Sequence, residues 1–281
     1  MNRPRGKLPA LSTAALALAV LVVAAWLGWP HLRFWWLFES LGKNEQGYPE
    51  YRHRQTGIVM VRLPGGTFWM GAQKEDPSGP NYDPDALENE GPVHEVTLSP
   101  FLVGKCEVTQ AEWQRVMGDN PSEFKAADQP VEAVTWDYCQ QFCEKTGLKL
   151  PTEAQWEYAC RAGSSAPCSG TGRLDDTGWY QLNSGVTTNP VGQKTPNGFG
   201  LHDLLGNVQE WCETKWPAPY EAHKGEADND SQDSYARVVR GGSFFSMNLG
   251  LRCACRFSLL THVPQDDTGF RIVASPFDSG Q

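Results

Sequence analysis

Positive charge is short in this sequence: 24 Lys and Arg stand against 33 Asp and Glu, a formal net charge of −9. A nucleic-acid binder needs a basic footprint, so no nucleic-acid partner is expected. Arg3, Arg5 and Lys7 are the only charges of segment 1–7, which leaves the rest more acidic still. That acidity is read as solubility rather than as recognition of a basic partner. No CxxC occurs and no histidine lies close in sequence to a cysteine, so a metal cluster built on the cysteines is not the expectation. No internal repeat is evident, and residues 164–197 show no long periodicity. A strand–helix–strand array is therefore excluded in favour of short helices among irregular strands and loops, an α+β chain.

What is abundant points the same way. Eleven Trp, 28 Gly and 20 Pro describe a loop-rich fold pinned by large aromatics. With 281 residues, 40% of them hydrophobic, the chain can bury an ample core as one large domain or two small ones. The apolar run Leu8–Trp29 carries no charge and follows the basic tail 1–7. It is long enough to span a bilayer, with Trp26 and Trp29 at the interface. A single-pass signal anchor is expected, N-terminus cytoplasmic and body periplasmic or extracellular. The run is long for a cleaved signal peptide, and the absence of a nearby cysteine argues against a lipoprotein.

Eight cysteines (106, 139, 143, 160, 168, 212, 253 and 255) suit an oxidising compartment and a body tied by some disulfides. Cys139 and Cys143 at helical spacing would sit about 5–6 Å apart, too far for a disulfide. Cys253 and Cys255 on one strand face would be roughly 6.5 Å apart, again a poor pair.

Residues 30–56 read as a membrane-proximal helix and linker, 57–274 as the body and 275–281 as a tail. Ile58–Arg62 and Thr67–Met70 flank Pro64-Gly65-Gly66 and read as a hairpin. Residues 73–92 form a surface loop, followed by strands at Val93–Leu98 and Phe101–Val108. Capping boxes at Thr109–Glu112 and Thr152–Gln155 start helices that stop at Gly118 and Gly163. Between them come a strand at Val131–Thr135 and a helix from Asp137 to Gly147.

The segment Arg237–Arg256 (RVVRGGSFFSMNLGLRCACR) is the one the chain is organised around. Its Gly241-Gly242 doublet marks a bend. Together with LPTEAQWEYACRAG from Leu150, NGFGLHDLLGNVQEW from Asn197 and TGFRIV from Thr268, it resembles the formylglycine-generating enzyme, or sulfatase-modifying-factor, family over about residues 57–274. The resemblance implies a C-type-lectin-like fold with little regular secondary structure. It also implies a Ca²⁺ held by the side chains of Asp203 and Glu210 and the carbonyls of Gly206 and Val208. Hard oxygen donors around a turn suit that ion. The residues alone equally allow Asp203 and Glu210 to cap the turn or pair with an arginine. By the same resemblance Cys160 and Cys253 match a disulfide, while the pairing of Cys143, Cys212 and Cys255 stays open.

One departure governs the functional reading. The family's enzymes bind Cu(I) through two cysteines shortly after the GGS, because soft thiolates suit that ion. Here Ser246 takes the first position, and residues 247–251 contain no cysteine. Copper is therefore not expected as a cofactor. Cys253 and Cys255 could replace the pair only if released from disulfides. Ser243 and Ser246 would be nucleophiles only with a base beside them. The expected function is a binding or accessory module that takes a peptide or protein partner in the groove of Ser243, Ser246, Cys253 and Cys255. The alternative is an oxidoreductase of the family with a rebuilt site, acting on a sulfatase cysteine or in pyoverdine-type chromophore maturation.

Overall fold

The computed structural model describes residues 34–216 and 235–275. The tail 1–7, the apolar run 8–29 and all but the first residue of the tail 275–281 lie outside the described residues. Among the described residues no helix is long and apolar enough to cross a membrane.

A five-stranded antiparallel sheet carries the body. Its strands are β1 (Phe38–Lys43), β2 (Pro49–His53), β3 (Val59–Leu63), β6 (Phe101–Gly104) and β13 (Val273–Ala274), in the order β1-β2-β3-β6-β13. Alternation along β3 sends Met60 to one face and Val61 and Leu63 to the other, and all three are buried. The sheet therefore has core on both sides. On one face Met60 and Leu102 meet Trp113, Phe142, Trp211 and Phe270. Trp113 and Phe142 stack with centroids 5.7 Å apart, and Phe270 stands edge-on to both. On the other face Val61, Leu63, Phe101 and Val103 meet Trp156, Leu205, Cys212 and Cys253. Burying each such aromatic contributes roughly 2–3 kcal/mol before packing geometry is counted.

Three helices cover this core: α1 (Gln110–Met117), α2 (Trp136–Thr146) and α3 (Glu153–Arg161). Both expected capping boxes form, Thr109 with Glu112 and Thr152 with Gln155. Helices α1 and α2 end in left-handed glycines, Gly118 and Gly147, whereas α3 ends one residue early at Ala162. A second sheet, in the order β11-β10-β9-β12, joins β9 (Gln209–Lys215), β10 (Ala236–Arg240), β11 (Arg256–Leu260) and β12 (Thr268–Gly269). Two small sheets complete the architecture. One pairs β4 (Gly66–Met70) with β5 (His94–Leu98), the other β7 (Gly178–Trp179) with β8 (Leu205–Gly206).

Four expectations are corrected. The linker read over 30–56 becomes part of the sheet from Phe38 onward, because Phe38 and His53 bury their side chains in register across β1 and β2. The hairpin of 58–62 with 67–70 does not form: β3 pairs with β2 and β6, while β4 leaves the sheet to pair with β5. The strand at Val131–Thr135 is absent because Ala133 takes a left-handed φ of 57°, which breaks an extended run. The strand holding Cys253 and Cys255 is displaced: β11 begins only at Arg256, and both cysteines sit in the turn before it.

Candidate binding groove

The candidate site is set by how β10 ends. Gly241 and Gly242 have φ of 92° and 70°. A Cβ on Gly241 would lie 3.1 Å from the Leu204 carbonyl oxygen and from the Trp156 ring, and one on Gly242 2.9 Å from the Gly250 carbonyl oxygen. Only glycine fits such a bend in such a space. The chain then closes a tight turn. Ser243 N–H donates to Ser246 Oγ (2.9 Å), and Ser246 N–H donates to the Ser243 carbonyl (3.0 Å).

Ser243 Oγ donates to Asp267 Oδ2 at 2.9 Å and lies 3.4 Å from Ser246 Oγ. Gln209 Nε2 donates to the same Asp267 oxygen at 3.1 Å. Two hydroxyls, an amide and a carboxylate therefore form one polar floor. Phe245, Met247 and Leu249 stand exposed around it. Asp267 and Gln209 were not anticipated from sequence. They reach the serines only because β12 pairs in parallel with β9, Thr268 opposite Gln209. The adjacent TGFRIV motif was the available signal.

The cysteines assigned to this site are withdrawn into the core. Arg240 donates to the carbonyls of Cys253 (3.0 Å), Ala254 (2.7 Å) and Cys255 (2.8 Å), which ties the turn down. Cys253 and Cys255 are both buried. Burial, reinforced by Glu90, pushes the Cys255 thiol up to about 11, with Arg252 and Arg240 pulling against it, so it stays protonated at neutral pH. Cys160 and Cys253 are free thiols with sulfurs 3.3 Å apart. Among the described residues no three His, Cys, Asp or Glu side chains are grouped to hold a metal ion.

The four residues assigned to calcium are brought together around one turn, but their side chains have different fates. Arg271 chelates Glu210, with Nε to Oε2 and Nη2 to Oε1 both at 2.6 Å, and Trp156 Nε1 adds a bond to Oε2 at 2.7 Å. Glu210 is thus the arginine-paired carboxylate that the residues alone allowed. A cation at Glu210 would sit against a guanidinium. Asp203 is different: Oδ2 accepts from Gly192 N–H at 2.7 Å, while Oδ1 is buried with no partner. Burial raises the pKa of Asp203, and that of Glu107 more strongly, with the charges of Asp203 and Glu210 adding to the effect on Glu107. Glu107 holds the turn itself, accepting from Val208 N–H (3.0 Å) and Asn207 Nδ2 (2.7 Å). Glu210, paired with Arg271, does not suit an oxygen-seeking cation, whereas Asp203 Oδ1 is a buried carboxylate oxygen without a partner.

The formylglycine-generating enzyme of Thermomonospora curvata is 30% identical, over 77% of this chain and 93% of its own. A protein named chaperone protein LppX, from Paenibacillus barcinonensis, is 32% identical over 54% of this chain and 71% of its own. Among solved structures, Treponema denticola variable protein 1 superposes with a TM-score of 0.65 at 28% identity, covering 78% of this chain and 95% of that one. The family model for the sulfatase-modifying factor enzyme 1-like domain matches residues 45–276. With that span matched, the chain belongs to the formylglycine-generating, sulfatase-modifying-factor family.

Proposed function

We propose that this family member is a binding or accessory module, held at a membrane by Leu8–Trp29 with its body outside the cytoplasm, that takes a peptide or protein partner in the Ser243–Leu249 groove. The observation that carries the reading is Ser246. It occupies the turn where the family's enzymes hold a thiolate, and its oxygen is already engaged by Ser243. A hydroxyl there does not bind Cu(I), and the buried thiol Cys253 faces Cys160. The polar floor can accept backbone N–H groups at Asp267, and the Phe245, Met247 and Leu249 rim can receive apolar side chains. The relative named a chaperone is in keeping with such a role.

The test is chemical. Purified protein incubated with Cu(I), O₂ and a cysteine-containing sulfatase peptide is expected to yield no aldehyde by mass spectrometry. Aldehyde formation lost on Cys253→Ser or Cys255→Ser would establish the oxidoreductase alternative instead. Calcium belongs to the proposal at Asp203. Millimolar Ca²⁺ is expected to raise the Tm of the wild type and leave that of Asp203→Asn unmoved. Equal shifts in both would remove the ion from this turn.

A further inference from the structure

A cavity of about 340 Å³ lies between β4 and the C-terminal end of α3, with no residue of the serine turn in its lining. Its walls are aromatic: Phe68, Trp69, Tyr158 and Phe199. The rings are locked together, Tyr158 standing 5.4 Å from both Phe68 and Phe199. Among the described residues Arg161 is the one charged residue of the lining. Its side chain is only 5% exposed. Nε donates to Glu157 Oε1 (2.8 Å) and Nη2 to the Gly71 carbonyl (2.9 Å), which leaves Nη1 buried with no partner. Glu157 does not belong to Arg161 alone, because its other oxygen accepts from Arg240.

A buried guanidinium with an unused N–H group is costly unless something completes it. Among the described residues no carboxylate lines the cavity to do so. The volume and walls suit a molecule with one aromatic ring. Ser164 adds a hydroxyl whose oxygen accepts from Ala166 N–H, so its own proton is free for an incoming acceptor. We infer that this cavity binds a carboxylate carried on an aromatic or apolar body, with Arg161 at the anion and Phe68, Tyr158 and Phe199 around the body. Free aryl acids and the C-terminus of a peptide ending in an aromatic residue share that chemistry. The site is independent of the serine groove, and its fate does not decide the function proposed there.

The experiment titrates the full chain calorimetrically with 3-phenylpropionate, its amide, and a short peptide ending in phenylalanine with a free or amidated C-terminus. At least one acid is expected to bind, and its amide to bind about tenfold more weakly or worse, the worth of a charge-assisted hydrogen bond. Whichever acid binds more tightly identifies the source. Ser165 is exposed at the cavity mouth, so Ser165→Trp is expected to fold normally and lose binding. Arg161→Gln, where near-UV circular dichroism shows it folded, is expected to lose the preference for acid over amide. The inference is overturned if no acid binds at millimolar concentration, if acid and amide bind alike, or if Ser165→Trp binds as the wild type does.

Discussion

Glu157 shows at the level of single residues how this protein is held. It is fully buried on α3 and shared by Arg161 and Arg240, while Gly71 N–H donates to it at 2.8 Å. Burial alone would raise its pKa, but Arg161 and Arg240 outweigh that and hold it below the usual carboxylate range. A depressed carboxylate contributes stability that is present above its unfolded pKa and is lost as pH falls through the folded value. Glu157→Gln is therefore expected to cost about 3–5 kcal/mol in urea denaturation at pH 7, since it removes the carboxylate two buried cations share. The variant's deficit is expected to shrink as pH falls below 4.5, where Glu157 of the unfolded chain takes up a proton before the folded, arginine-held carboxylate does. A loss under 1 kcal/mol at pH 7 would mean that the pair adds nothing beyond its desolvation. The same logic extends along Arg237–Arg256: Arg252 meets Asp83 and Glu90, and Arg256 meets Glu153, each within 2.6–2.8 Å. Pairs 103 to 169 residues apart in sequence leave no local signal, so none of them was legible beforehand.

Elements were legible where their signals are local. The capping boxes of α1 and α3 are four-residue patterns whose partners lie inside the pattern, and both form. Thr152→Ala should cost about 1 kcal/mol, the usual worth of an N-cap. Gly241→Ala should cost more, about 2 kcal/mol or above. It sets a Cβ at a φ of 92° and 3.1 Å from both Leu204 and Trp156, neither of which can yield freely. Parallel urea curves on the two variants rank them directly, and a reversed order would mean that the double-glycine turn is not the fixed point of the groove. Strand partners were not legible, because pairing depends on residues far away. Between β3 and β4, Pro64-Gly65-Gly66 is a turn signal that sequence reads as a hairpin, yet their hydrogen bonds go to β6 and β5. Asp267 escaped notice for the same reason: parallel pairing of β12 with β9 brings it to Ser243.

For the molecule as a whole, the unexpected feature is that the stretch read as a linker closes the main sheet. His53 ends β2, packs 5.2 Å from Phe38 of β1 and bonds Thr56 Oγ1 through Nδ1 at 3.0 Å, with Nε2 buried and unpartnered. Burial lowers its pKa from 6.5 to about 4, so the folded protein holds a neutral ring where the unfolded chain takes up a proton. Between those two values the unfolded state binds more protons, and stability must fall as pH falls. From pH 7 to pH 5 the loss assigned to His53 is about 1–2 kcal/mol, less than an unscreened shift would give. His53→Leu keeps an apolar side chain against Phe38 and removes the proton. Its denaturation midpoint should therefore change less between pH 7 and pH 5 than the wild type's. If the two midpoints move in parallel, His53 is not the acid-sensitive joint and the β1–β2 hairpin is held independently of the ring's charge. If they diverge as expected, mild acid loosens first the strands that lie between the N-terminal apolar run and the family domain's own core.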